Sequence, residues 1–282
     1  MIEVKKKNKK LKKIFIIVGS IFLVLVISFL FLLYGPYSGF RDFLITSSMT
    51  TKSHQYIAKF FYSDKTIDKV LKKNGIIEGD KSTDINLINI KKKKKSKTYK
   101  NEYEKQILDR SEDESLYKVI NVSGKTYQGY LVAIYDPSRV GIATTRYLGV
   151  RGEAIDNVAK RYGAVVAMNA GGFYDPDWNS NGALPHGIVI ENGKVVSEYA
   201  KANVGGGMVG FTNDNKLVLG KFSKSEALNM GIRDAVEFGP FLIINGEASK
   251  VLGNGGWGIA PRTAIGQRQD GIVLFLVING RI

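Results

Sequence analysis

AVVAMNAGGFYDPDWNSNGALPHGIVI, Ala164 to Ile190, is the stretch on which the reading of this chain turns. "AVVAM" is a short apolar run, the pattern of a buried strand. It breaks into Asn169-Ala170-Gly171-Gly172-Phe173. Two glycines directly after a strand permit positive φ and the close approach of another group. A polar loop, Asp175 to Asn181, leads to a second apolar run, Gly187 to Ile190. Strand, glycine elbow and polar loop present side chains to a ligand in many proteins. The competing reading is a tight turn that needs glycine and nothing more.

Working outward, the flanking sequence predicts the rest of a domain. Upstream, Tyr130 to Tyr135 reads as a strand and "DPSR" at Asp136 as a turn. Gly152 to Tyr162 reads as a helix, with Ile155, Val158, Ala159 and Tyr162 at i, i+3, i+4, i+7 and Gly163 as its stop. Downstream, Asn192-Gly193, Asn213 to Asn215, Asn245-Gly246 and Asp270-Gly271 each sit between apolar runs, the signature of hairpins. A short helix, Ser225 to Met230, interrupts them. The expected fold class is α+β, an antiparallel-sheet-rich domain spanning 116–282.

Ahead of it the composition changes. Residues 1–13 hold seven Lys and one Glu, and Ile14 to Leu33 is apolar apart from Gly19, Ser20 and Ser28. Twenty residues at ~1.5 Å each span ~30 Å, a bilayer core. A cleaved signal peptide would want a shorter apolar run and a small-x-small site, which "LLYGPYSG" lacks. Residues 1–35 are therefore read as a cytoplasmic lysine head and an uncleaved transmembrane signal anchor. Residues 36–75 read as juxtamembrane helices forming a stalk, with Ser63 as an N-cap and Gly75 as a stop. Residues 76–115, with Lys91 to Lys95 and the acidic "SEDE", read as a charged linker.

The chain of 282 residues has no cysteine, which excludes disulfides and thiolate metal sites. Its formal charge is +15, but 116–282 carries 17 basic and 13 acidic residues with no linear basic cluster. A nucleic-acid partner is therefore not expected. Asp175, Asp177, Asn179 and Asn181 form an oxygen ladder, yet Ser180 and His186 stand where a calcium loop of the EF-hand type needs Gly and Glu. No metal site and no cofactor are expected. Trp178 and Trp257, in Gly/Asn-rich loops, could stack on sugars or be buried at the loop base.

"NAGGFYDP" followed by "GALPHG" resembles the signature of the phosphodiester glycosidase family. That family includes the enzyme that uncovers mannose 6-phosphate by removing N-acetylglucosamine from a phosphodiester, and many bacterial members described as exopolysaccharide-related. "EFGPFLIINGE" (Glu237 to Glu247), "APRTAIGQRQDG" (Ala260 to Gly271) and "LFLVINGR" (Leu274 to Arg281) agree in order and spacing, from about Tyr127 onward. The resemblance implies a surface hydrolase cleaving sugar-1-phosphodiester linkages in a cell-wall or capsular polymer; the lysine head before the charge-free span puts its C-terminal domain outside the cell. The alternative is a non-catalytic glycan- or polymer-binding protein on the same fold. In the family the sequence continues through a helix to D-G-G-(G/S)-S, so a domain ending at Ile282 is expected to be incomplete at its C-terminus.

Cleaving a glycosyl phosphodiester builds positive charge on the sugar and negative charge on the leaving phosphate. The site then needs a carboxylate beside the sugar and cationic or N–H donors around the phosphate. Glu237, Arg262 and Asn169 are the expected catalytic residues. Arg262 would hold phosphate through its guanidinium fork, steadied by Glu237. Asn169 would bond sugar hydroxyls, or cap its own elbow. Gly171 and Gly172 would form an anion nest. Asp175, His186, Thr263, Asn279 and Arg281 complete the expected substrate-binding set. His186 is a potential acid or base and equally a packed loop residue. Asn279-Gly280-Arg281 departs from the family's Asp-Gly-Arg, so an acid's role there is lost.

Overall fold

The computed structural model describes residues 2–51, 54–90, 98–110, 116–175, 180–199, 206–258 and 260–280, with side chains from residue 12 onward. The chain divides into two compact units. One comprises residues 1–75 and 251–258, the other 76–250 and 259–282.

The first unit is helical. α1 (Ile2–Tyr34) is followed by α2 (Ser38–Met49), α3 (Gln55–Phe61) and α4 (Asp64–Lys73). Within α1, Lys12–Tyr34 is long and apolar enough to cross a membrane, a property that membrane anchors and signal sequences share. Its last turn is pinned: Leu33 is buried with Ile45, Ala58, Tyr62, Ile67 and Val70. Helix ends leave carbonyls without partners; the Tyr62 hydroxyl donates to Leu33 O (3.1 Å). α4 begins as expected at Ser63, whose side chain accepts from Thr66 N–H. Asp42 is buried on α2 and takes Lys73 (3.1 Å) and Arg41 (3.2 Å) as ion-pair partners. Residues 251–258 belong to this unit: Asn254 Nδ2 donates to Thr46 Oγ1 (2.9 Å) and Thr50 Oγ1 to Trp257 O (3.2 Å). Trp257 therefore sits in the helical unit.

The second unit is a two-layer antiparallel sandwich. After β1 (Gly75–Ile77) and α5 (Glu102–Leu108) come β2 (Tyr117–Gly124), β3 (Tyr127–Ile134), α6 (Ile155–Tyr162), β4 (Gly187–Glu191), β5 (Lys194–Tyr199), β6 (Gly207–Thr212) and β7 (Leu217–Gly220). Then follow α7 (Lys224–Asn229), β8 (Ile232–Phe238), the short β9 (Ile243–Ile244), β10 (Glu247–Ala248) and β11 (Lys250–Leu252), and finally β12 (Arg262–Gln267) and β13 (Val273–Asn279). One sheet has the order β12-β13-β3-β2, the other β5-β4-β8-β6-β7. Their facing sides meet in Val140, Phe211, Leu217 and Val273, with Ile134, Ile265 and Phe275 against them. α7 covers the far side of the five-stranded sheet through Ala227, and α5 that of the four-stranded sheet through Ile107.

The hairpin signals are where the sequence puts them. Asn192 and Gly193, and Asn245 and Gly246, all have positive φ, as the tight hairpin turns require. The helix expected from Gly152 starts three residues later, and Gly163 closes it in the left-handed conformation.

Two expectations are overturned. Ala164 to Met168 is not a strand; it pairs with no sheet, and Val165 is 72% exposed. Residues 76–115 are not simply a linker, since their described part is bound to the sandwich. Glu78 accepts from Gly206 N–H (2.8 Å) and Phe241 N–H (3.0 Å). Thr83 N–H donates to Leu219 O, and Leu219 N–H to Thr83 Oγ1, both at 2.9 Å. β7 is an edge strand, and an edge leaves backbone groups to be covered. Isolated apolar residues among the lysines, such as the buried Ile88 and Ile107, supply the packing. Lys91 to Lys95 and "SEDE" lie outside the described residues.

Candidate active site

Gln267 fixes which ends of the two sheets lie together. Its Oε1 accepts from Leu217 N–H (2.7 Å) and its Nε2 donates to Asn215 O (3.0 Å). The last residue of β12 thus meets the first of β7. By the antiparallel order, the opposite end of the sandwich holds the start of β12 with Thr263, the end of β13 with Asn279, the start of β4 at Gly187 and the end of β8 with Glu237.

Residues 166–172 cross this end. Val166, Ala167 and Met168 line an apolar groove of about 330 Å³ with Val119, Tyr130, Val132, Phe275 and Val277 of the four-stranded sheet. Asn169 follows and is exposed. Gly171 then packs on β8, where an added Cβ would stand 3.3 Å from Val236 Cβ. An added Cβ on Gly172 would stand 3.6 Å from His186 Cδ2. The loop closes on itself: His186 N–H donates to Gly172 O (2.9 Å) and Tyr174 N–H to Leu184 O (2.8 Å). The His186 ring meets Tyr174 edge-on at 6.1 Å.

Glu237 is half-buried on β8, paired through its backbone with β6, and its carboxylate has no hydrogen-bond or ion-pair partner among the described residues. Its carboxylate lies over Gly187, whose φ is +67. A Cβ at position 187 would overlap that carboxylate. Glycine is therefore required here twice, for its backbone angle and for the space it leaves. The sequence reading missed this fit; the one available signal was a glycine directly before an unbroken apolar strand.

The structure brings Gly171, Gly172, His186 and Glu237 together, with Asn169, Thr263 and Asn279 at the same end. It separates others. Along a strand, successive side chains point to opposite faces. Thr263 pairs with Val277 and so faces inward with Tyr130, whereas Arg262, paired with Ile278, faces outward. Arg262 is exposed and its Nη1 donates to Pro261 O (3.2 Å). The two neighbours therefore do not address one ligand, and Glu237 does not hold Arg262. Gly171 and Gly172 do not have positive φ, so the alternation of backbone hands that makes an anion nest is missing. Asp175 turns back on its own loop, accepting from Ser180 N–H (2.7 Å). Asp177, Trp178, Asn179 and Arg281 lie outside the described residues. Among the described residues no group of three or more His, Asp or Glu side chains could hold a metal.

Residues 162–282 match the phosphodiester glycosidase family model. The chain is 28% identical over 179 residues to the SPbeta prophage-derived uncharacterized protein YomE of Bacillus subtilis (strain 168), covering 58% of this chain and 27% of that protein. It thus spans about a quarter of that relative's length. Among solved structures it is similar to the zebrafish N-acetylglucosamine-1-phosphodiester alpha-N-acetylglucosaminidase catalytic domain auto-inhibited by pro-peptide. The identity there is 21% and the TM-score 0.43, over 58% of this chain and 60% of that one.

Proposed function

We propose that this chain is a membrane-anchored hydrolase that cleaves sugar-1-phosphodiester linkages in a cell-surface polysaccharide or related glycoconjugate. The observation that carries the reading is the meeting of Glu237, His186 and the Gly171–Gly172 elbow inside the stretch that matches the family model. As the anomeric C–O bond breaks, the electron pair leaves with the phosphate and the sugar becomes cationic; Glu237 faces that cation. A phosphate is already a good leaving group, so protonating it matters less than in ordinary glycosidases. Water attacks the anomeric carbon and gives its proton to His186. Asn169, Thr263 and Asn279 bind sugar hydroxyls, and Gly171 and Gly172 let the substrate come close. Arg262, on the outer face, stands outside this set.

Release of free sugar from a model sugar-1-phosphodiester by the full chain in detergent tests the reading. Glu237→Gln should lower the rate on the order of 10²- to 10⁴-fold. An undiminished rate in Glu237→Gln removes the carboxylate from the chemistry. Binding of the polymer with no turnover by the parent chain favours a non-catalytic polymer-binding protein instead. The anchor rests on Lys12–Tyr34 and the lysines before it. Protease added to intact cells should remove the sandwich, and protection would reverse the orientation.

A further inference from the structure

Just before the family-matched stretch, the sandwich unit builds a polar cavity, distinct from the apolar groove. It encloses about 560 Å³ and its lining includes Arg146, Tyr147, Arg151, Glu153, Lys160 and Arg161. The lining side chains carry four cations against one carboxylate. These residues are spread over 16 positions, which is why the linear sequence shows no basic cluster. Glu153, its side chain only 5% exposed, binds Arg146 (3.0 Å) and Arg161 (3.1 Å) and accepts from Arg146 N–H (3.2 Å). Burial alone would push the Glu153 carboxyl up, but these hydrogen bonds outweigh it and hold it below the usual carboxylate range. Glu153 is then charged at neutral pH and cancels one cation of four. The Arg151 guanidinium stacks on Tyr147 at 4.2 Å, and that of Arg161 on Tyr162 at 4.7 Å. Three guanidinium groups are thus held in place; with Glu153 set against Arg146 and Arg161, and Asp156 against Lys160 (3.9 Å), four cations face two carboxylates, a net positive charge that favours an incoming anion.

The cavity is tied to the loop of the candidate active site. Gly152 N–H donates to Asn181 O (2.7 Å), and Asn181 Nδ2 to Val150 O (2.8 Å). One loop therefore touches β8 through its glycines and the basic segment through Asn181. We infer that this cavity binds a phosphate group of a polymeric phosphodiester, one further along the polymer than the linkage at Glu237. Guanidinium forks match phosphate oxygens, and the volume exceeds one phosphate, leaving room for part of the chain beside it. The identity of the polymer rests on the hydrolase reading; the capture of phosphate does not.

The test uses the full chain in detergent. Arg151→Gln with Lys160→Gln removes two cations that do not hold Glu153. Its charge-matched control is Lys125→Gln with Lys194→Gln, at exposed sites in two hairpins. Binding of poly(glycerol phosphate) should weaken on the order of tenfold in the first pair, with a shallower salt dependence, and stay at the parent level in the control. Equal weakening in both pairs, no weakening in either, or binding to anionic vesicles but not to the polymer overturns the inference. If the first pair loses polymer binding while no variant or parent hydrolyses any phosphodiester, the cavity stands and the hydrolase reading falls.

Discussion

Two apolar runs flank the same polar loop, and they take different structures. Gly187 to Ile190 forms β4, buried at every position between β5 and β8. Ala164 to Met168 lies along the four-stranded sheet without joining it, and Val165 is 72% exposed. Hydrophobicity is similar in both; the supply of backbone partners is not. β4 is followed at once by Asn192-Gly193, a turn that returns β5 antiparallel to it. No turn signal next to Ala164 delivers a neighbour. An apolar run becomes a strand when its backbone groups find a ladder, and local sequence announces that only when the partner is also local.

The contrast is broken most directly by truncation. Ile190, fully buried among Ile188, Met208, Ala227 and Ala235, should cost about 2–5 kcal/mol on change to alanine. Denaturant unfolding of the full chain in detergent measures it. A loss below about 1 kcal/mol would mean that β4 is not a buried interior strand of the five-stranded sheet.

Gly187→Ala probes the point where β4 meets the site. The substitution places a Cβ at positive φ and into the Glu237 carboxylate. It should destabilise by more than about 1 kcal/mol, and hydrolysis should fall with it because Glu237 is displaced. Full activity in Gly187→Ala would show that the position of this carboxylate is unimportant.

Outside the sheets, ionic contacts replace ladders, and pH reads this out. Glu153 has a lowered carboxyl pKa in the folded chain, because the hydrogen bonds from Arg146 and Arg161 outweigh the upward push of burial. A depressed folded value gives stability that is present above the unfolded value of about 4.3 and lost as pH falls through the folded one. Amides of residues 144–161 should therefore exchange faster below about pH 4, while those of β4 stay protected. Equal acceleration in both places would assign the effect to global unfolding.

How much of this was legible follows from the same distinction. The hairpins at Asn192, Asn213, Asn245 and Asp270, the Ser63 cap and the Gly163 stop are local signals, and each is found in the structure. The elbow, His186 and Glu237 could be singled out through the resemblance, although nothing local joins Gly187 to Glu237. What stayed hidden depends on distant pairing. Ile88 and Ile107 dock a lysine-rich segment that reads as linker. Arg146 and Arg161 converge only because Glu153 gathers them, and Arg151 lines the same cavity from its stack on Tyr147. The opposite directions of Arg262 and Thr263 follow from strand alternation, but only once β12 is known to start at Arg262.

The smallest expected effect is the sharpest test of the comparison. Val165→Ser exchanges an apolar side chain for a polar one inside the run that looks most like a buried strand. In a sheet interior it would remove buried apolar area and leave a hydroxyl to be satisfied, at a cost of 1–3 kcal/mol or more. Here the side chain is 72% exposed and its backbone joins no ladder, so little area leaves the protein interior. The expected change is within about 0.5 kcal/mol, the range of ordinary surface positions. Val166 and Met168 alternate with it and line the groove against Tyr130 and Phe275, so Met168→Ser should cost visibly more than Val165→Ser in the same unfolding measurement. If the order is reversed, or if Val165→Ser costs more than about 1 kcal/mol, the run carries the buried strand that its composition suggests, and the difference between the two flanks disappears.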